Sequence, residues 1–291
     1  MPRSPKSNSD VPWTFYRGRT LPPRSGGDVV GSDLVMESRF YGTLMAADIS
    51  HDQLECLEPE QWLSADLCTF YCYEVGNAFL EGAPGRAKDL VVLHSMTWDL
   101  AQWTTKYPLK IRVPGAPPVL DHKYIAFPGN DSGTHFFLCI IVNASDLLQE
   151  INPQGPVRTM ALILNSSHDV QPKDVDLKIQ RIVACLAEGR PLREKELSNI
   201  TVYQPRVIQQ PNGYDCGLYP GHFLRVFLGA PDAYIAHCTG QTLIEGSAES
   251  VWEHERVKRA RRHLKSLVFS YMEIRQAALI FNSDLPRSGH N

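Results

Sequence analysis

An α+β fold, a central sheet covered by helices, is what three features of the chain predict. Two short β-rich runs, Tyr124 to Phe127 and His135 to Val142, flank the turn-like segment Pro128-Gly-Asn-Asp-Ser-Gly. A third run, Thr159-Met-Ala-Leu-Ile-Leu, is almost continuously apolar, as in a strand buried on both faces. Segments on either side of these runs repeat apolar residues at helical steps.

In chain order, residues 1 to about 32 are rich in Pro, Ser, Gly and Arg without an apolar period and read as a disordered or loosely attached arm. The folded unit is expected from about residue 33 to 245. Glu58 to about Leu80 carries Trp62, Leu67, Phe70, Tyr71 and Val75 at three- and four-residue steps, which predicts a core helix. Asp89 to Gln102 is a second mixed apolar run, and Pro108 to Pro118 interrupts structure repeatedly. After the three strands, Val175 to Ala187 places Leu177, Ile179, Ile182, Val183 and Leu186 on a helix that ends before Gly189 and Pro191. Thr201-Val-Tyr is a further short strand, and a polar loop then enters an apolar helix over Leu218 to Leu228. The last segment, 246–291, holds a long helical pattern from about Ser250 to Gln276 with Arg256, Lys258, Arg259, Arg261, Arg262 and Lys265.

Composition narrows the class. The 291 residues suffice for a full core, and the apolar fraction of 43% is that of an ordinary globular protein. A formal net charge of −3 creates no strong single-sign field, so nucleic acid and membrane partners have no global electrostatic argument. The polar, Pro-rich start lacks the apolar run of a signal peptide, and no stretch approaches eighteen consecutive apolar residues; both point to the nucleus or cytoplasm. Seven cysteines, odd in number and without a C-x-x-C pair, argue against a disulfide framework or a metal site. Cys68, Cys72, Cys139 and Cys185 lie within apolar patterns and read as packing residues; Trp98 and Trp103 read as core. The basic run Arg256 to Lys265 reads either as a solvated helix face or as a nuclear-localisation or nucleic-acid patch.

Cys216 stands apart from the other cysteines. An unperturbed thiol with pKa about 8.5 is only a few per cent thiolate at pH 7, so a cysteine nucleophile needs a local cause for ionisation. Cys216 lies where a Gly-containing loop becomes a helix, and the unpaired N–H groups and dipole there favour the anion. Gly213 and Gly217 permit close backbone approach, and Asp215 suits a helix cap. Gln210, six residues upstream, can aim a side-chain N–H at a developing oxyanion, with the Cys216 N–H as second donor. His135 opens a strand after a turn and is the best-placed base of ten histidines; Asn165, closing the next strand, can orient its ring if the two strands are neighbours.

The string Gln209-Gln-Pro-Asn-Gly-Tyr-Asp-Cys-Gly resembles the nucleophile motif of the SUMO-specific (ubiquitin-like-protein) cysteine peptidases, the sentrin-protease-like family. Upstream, Glu60-Gln-Trp-Leu-Ser-Ala-Asp resembles the family's Trp-Leu-x-x-Asp helix start. Lys123-Tyr-Ile-Ala-Phe-Pro with Thr134-His-Phe-Phe-Leu resembles the strand pair that delivers its histidine, and Leu162-Ile-Leu-Asn-Ser-Ser the segment of its acidic triad member. These matches run in family order over roughly residues 54 to 228. The resemblance implies a papain-like cysteine peptidase fold with a central mixed sheet flanked by helices and the nucleophile at a helix N-terminus. It implies catalytic roles for Cys216, His135, Asn165 and Gln210, a substrate-binding role for Trp62 over a tunnel for a Gly-Gly terminus, and substrate contacts from Phe136, Gly213 and Asp215. The partner implied is a ubiquitin-like protein, SUMO first, cleaved in precursor processing or deconjugation; no cofactor or metal is implied.

Four departures from the family pattern are visible. Asn165 replaces Asp, so the imidazolium lacks a charged partner and Asn165→Asp is expected to raise activity, with Asp169 a less well placed alternative third member. Phe136 replaces Trp, an insertion falls around Asp146 to Gly155, and Pro220 sits in the first turns of the nucleophile helix, where it is expected to remove a hydrogen bond. An inactive relative that binds a ubiquitin-like protein through the same cleft is the rival reading, and another ubiquitin-like substrate a second one.

Overall fold

The computed structural model describes residues 34–40, 43, 46–102, 115–131 and 133–283. The expected N-terminal arm, Trp103 and most of the Pro108–Pro118 segment lie outside the described residues. Strands β1 (Leu34–Arg39) and β2 (Ala46–Ser50) form a separate antiparallel pair. Helix α1 (Ala65–Glu81) follows, then β3 (Leu90–Val92), β4 (Tyr124–Asp131), β5 (His135–Val142), β6 (Met160–Leu164), α2 (Val175–Leu186), α3 (Glu194–Leu197) and β7 (Thr201–Tyr203). The chain ends in α4 (Tyr219–Gly229), α5 (Pro231–Cys238), α6 (Ala248–Val251), α7 (His254–Val257) and α8 (Ala260–Ser283).

The main sheet has the order β3-β4-β5-β6-β7, with β3–β4 and β6–β7 parallel and the two central pairings antiparallel. This is the mixed sheet expected. All eight residues of β5 are buried, so its apolar run is covered on both faces. Neighbouring residues of β5 identify the covers, because successive side chains of a strand point to opposite faces. Phe136 packs with Cys68 of α1 and with Cys216, whereas the Phe137 ring meets Trp98 edge-on, with centroids 4.9 Å apart. Lys178 of α2 lies over the other side of this layer, 4.9 Å from the Trp98 ring centroid. Helices α1 and the Cys216 segment therefore cover one face, and the Trp98 turn with α2 the other.

Several expectations shift. Pro128 to Asp131 continue β4 rather than turning, and Pro128 pairs with Leu138. This is possible because β3 covers β4 only as far as Ala126, leaving the later residues on an edge where a missing N–H costs no ladder bond. The first helix begins at Ala65, not near Glu58. Ser64 caps it by accepting the Leu67 N–H at 3.2 Å, and a 3-10 turn over Asp52–Leu57 precedes it. Trp62 consequently lies outside the helix and is 54% exposed. Leu177, counted on the apolar face of α2, is exposed as well. Trp98 is buried as expected.

The C-terminal pattern is not one helix: α6 and α7 are single turns before α8. Val251, Trp252, Val257, Ala260, Leu264 and Val268 belong to the same hydrophobic cluster as the sheet, so this segment completes the main core. Its basic residues are largely paired with acids: Arg256 with Glu253, Lys258 with Glu255, and Lys265 with Glu58. All seven cysteines are free. Among the described residues no helix is long and apolar enough to cross a membrane, and no group of three or more His, Cys, Asp or Glu is disposed to hold a metal ion.

Candidate active site

Strand register brings the first two site residues together. The β4–β5 hairpin closes at the Asp131–His135 pair, which makes His135 the first residue of β5. In the next pairing Leu138 faces Leu164, so Asn165, one residue past the end of β6, lies on the diagonal from His135. The His135 Nε2 and Asn165 Oδ1 are 2.7 Å apart, and both residues are at least nine-tenths buried.

The orientation of the Asn165 amide is dictated by its other partners. Its Oδ1 also accepts the Ser167 backbone N–H at 3.0 Å, and its Nδ2 donates to the Val170 carbonyl at 2.8 Å. Because Oδ1 can only accept, His135 Nε2 must carry the proton. In the neutral ring Nδ1 is then the free lone pair, the form a general base needs. Burial holds the His135 pKa below the ordinary histidine value, and the Asn165 bond opposes that only in part. Asp169, the alternative third member, is exposed and its backbone N–H is tied to Ser167 Oγ; Asn165 occupies the position beside the ring.

The next residue, Ser166, performs the same service for Gln210. Buried completely, it donates from Oγ to Gln210 Oε1 at 2.8 Å, while its carbonyl accepts the Gln210 backbone N–H at 2.8 Å. Gln210 Nε2 donates to the Asn212 carbonyl at 2.6 Å, which leaves its second hydrogen for another acceptor. Ser166 was missed in the sequence, where only its position next to Asn165 in Asn-Ser-Ser hinted at a role.

Cys216 begins a 3-10 turn, Cys216–Leu218, that runs into α4. The residue is 4% exposed and packs with Phe136 and Cys68. Burial pushes the thiol pKa up, and the Asp215 carboxylate adds to that; the backbone N–H groups of Phe136, Gly217 and Cys216 itself pull the other way. The N–H groups at the helix end thus act on the sulfur in the direction expected, and burial opposes them. The Phe136 N–H at the sulfur places Cys216 beside the residue that follows His135, although the two segments lie far apart in the chain.

The remaining expectations divide. Asp215 makes no helix-capping bond; its carboxylate accepts from Asn212 and Arg261 instead. Gly217 does serve close approach, because a Cβ there would lie 2.8 Å from Leu63 Cβ. That contact packs Leu63, the residue after the exposed Trp62, against the Cys216 turn. A Cβ on Gly213 would meet nothing within 4 Å, so space rather than backbone contact surrounds it. Phe136 is buried beneath the thiol instead of lining an open wall. Pro220 stands at the second position of α4, where the missing N–H would have had no intrahelical partner, so the expected loss of a bond does not arise.

Comparison with known proteins agrees with this geometry. Residues 103–244 match the model of the Ulp1 protease family, C-terminal catalytic domain. No curated protein matches the chain. Among solved structures, a crystal structure of the de-sumoylating protease aligns at a TM-score of 0.63 and 16% identity, over 87% of this chain and 96% of that one. The SUMO protease Ulp1 with its catalytic cysteine oxidised to a sulfenic acid aligns at 0.46 and 16% identity, over 79% and 88%. The C-terminal Ulp1 protease domain in complex with Smt3, the yeast ortholog of SUMO, aligns at 0.44 and 16% identity, over 80% and 89%. The first of these establishes a shared fold. With a mixed sheet of that fold and a family match across the strands and loops that carry His135, Asn165, Gln210 and Cys216, the chain carries the catalytic domain of a Ulp1-family cysteine-type peptidase.

Proposed function

We propose that the enzyme cleaves after the C-terminal Gly-Gly of a ubiquitin-like protein, SUMO in the first instance, in the nucleus or cytoplasm, through a Cys216-His135-Asn165 arrangement. The observation that carries the reading is the 2.7 Å contact between His135 Nε2 and Asn165 Oδ1, with the Phe136 N–H beside the Cys216 thiol on the same strand end. A substrate without side chains at its last two residues suits a site rimmed by the exposed, flat Trp62, since glycine alone fits beneath a close aromatic cover.

In the first step the Cys216 proton moves to His135 Nδ1 as sulfur attacks the glycine carbonyl carbon. The resulting oxyanion accepts from Gln210 Nε2–H and the Cys216 backbone N–H. Collapse breaks the bond to nitrogen, and His135 gives its proton to the departing amine, leaving a thioester. Water then attacks the thioester with His135 as base, and the sulfur leaves with the proton restored to it. Asn165 holds the ring throughout, a neutral counterpart of the carboxylate in related triads.

The rival reading, an inactive binder, rested on Asn165 and Pro220. Asn165 has the donor and acceptor pattern that fixes the ring, and Pro220 takes a helix position that needs no N–H. A panel of fluorogenic ubiquitin-like substrates tests the proposal: hydrolysis of one or more by the wild-type chain and none by Cys216→Ser is the expected result. Absence of turnover on every member, with the fold intact, would reject it.

A further inference from the structure

One side chain of the C-terminal helix reaches the active site from behind. Arg261, in the first turn of α8, is 13% exposed at its side chain and spends all five of its N–H bonds on two segments. Nη2 and Nε donate to Asp215 Oδ1 at 2.8 and 3.3 Å. Nη1 donates to the carbonyls of Cys56 and Glu58 at 2.7 and 3.0 Å, and Nη2 also to the carbonyl of Gln61 at 2.7 Å. Asp215 immediately precedes the nucleophile, and Gln61 immediately precedes Trp62. The other Asp215 oxygen accepts from Asn212 Nδ2 at 2.9 Å, and the Asn212 carbonyl is the acceptor of the Gln210 amide. One turn further along α8, Lys265 Nζ holds Glu58 Oε1 at 2.6 Å.

We propose that Arg261 is a positioning residue of the peptidase: its guanidinium clamps the Cys216 loop to the Cys56–Gln61 segment and so fixes the nucleophile relative to Trp62. The planar five-donor fork is what makes the clamp possible, because three carbonyls and a carboxylate around one centre exceed what a lysine ammonium satisfies. The clamp has an electrostatic side. Asp215 disfavours the Cys216 thiolate, and the groups packed against that sulfur from other elements are the Phe136 backbone on β5 and Cys68 on α1, neither an anion at neutral pH. Arg261 is the cation that offsets Asp215. This inference rests on Cys216 as nucleophile and Trp62 at the substrate's entry.

The test uses the full chain and three variants, Arg261→Gln, Arg261→Lys and the double variant Arg261→Gln/Asp215→Asn. Alkylation of Cys216 by iodoacetamide against pH reads the nucleophile without any protein substrate, while kcat and KM on a Gly-Gly-terminated fluorogenic substrate read the relation to Trp62. Arg261→Gln should move the alkylation midpoint to higher pH and lower kcat/KM roughly 10- to 100-fold, the scale of a 1 Å misplacement. Arg261→Lys should keep the midpoint near wild type, because the charge remains, but raise KM, because the carbonyl bonds do not. The double variant should bring the midpoint back while kcat/KM stays low. An unshifted midpoint with unchanged KM in Arg261→Gln would overturn the proposal; should that variant not fold, unchanged KM in Arg261→Lys overturns it. If no Gly-Gly substrate is turned over by the wild type, the substrate reading fails, and the alkylation midpoints alone decide for or against the clamp.

Discussion

The two supports of the active site are built from different physics. The turn Asn165–Ser166 holds His135, on the neighbouring strand, and Gln210, in the loop before Cys216, by neutral hydrogen bonds. The Cys216 loop and the approach to Trp62 are held by one cation from a helix 46 positions away, against a carboxylate that is 24% exposed. A buried neutral network gains little net energy per bond but leaves a costly orphan when one partner is lost. A partly exposed ion pair is screened and tunable. His135 and Gln210, the proposed base and oxyanion donor, therefore sit on the rigid support, and the proposed nucleophile Cys216 on the adjustable one.

The largest effect that sharpens this contrast is loss of either reacting group. Cys216→Ala and His135→Ala should each lower kcat/KM about 10⁴-fold or more, and the double variant little further, since the two act as a unit. Gln210→Ala should lower kcat about 10²- to 10³-fold, the usual cost of an oxyanion donor. Ser166→Ala should lower it less, by about tenfold, because Gln210 keeps its backbone bond to residue 166 and loses only the hydroxyl that turns its amide.

Asn165→Asp probes the rigid support alone. From sequence, a restored carboxylate promised higher activity. The geometry sets a cost in stability beside that expectation, because an oxygen in place of Nδ2 would face the Val170 carbonyl at 2.8 Å with no proton between them. The variant should lose about 1–3 kcal/mol of stability, measured by denaturant unfolding, from that unsatisfied pair. The added charge should also raise the His135 pKa and move the acid limb of kcat/KM to higher pH. In the wild type that limb is expected below the ordinary histidine range, since burial depresses His135.

A smaller effect reads the link between α4 and the C-terminal segment. His222 is buried, donates from Nε2 to the Trp252 carbonyl at 2.6 Å, and has its pKa pushed down to about 4 by burial. A histidine depressed on folding binds its proton more readily in the unfolded chain, so its stability contribution is complete above about pH 6.5 and is lost as pH falls towards 4. The melting temperature should fall over that window, and His222→Gln should flatten the slope.

Legibility followed the same division. The β5–β6 pairing, and with it His135 beside Asn165, could be read because apolar runs of strand length announce themselves and a neutral side chain at each end was near in register. The Cys216 turn was legible from its glycines and its place before an apolar helix. Ser166 escaped because a buried serine carries no periodicity. Arg261 escaped because a basic helix with interleaved acids looks solvated, and only packing reveals that one of its cations turns inward. The start of α1 was misjudged for a local reason: Trp62 fell in phase with the helical repeat, yet the Ser64 cap begins the helix after it. The burial of Cys216 escaped too, because the helix-end argument weighs the N–H donors and not the desolvation opposing them.

Covalent capture tests the central claim most directly. A ubiquitin-like protein whose C-terminal glycine carries a vinyl-sulfone electrophile should form a single adduct with the wild-type chain, mapped by peptide mass spectrometry to Cys216, and should form it far more slowly with His135→Ala. No adduct with any such probe, or an adduct on another of the seven cysteines, would contradict the account.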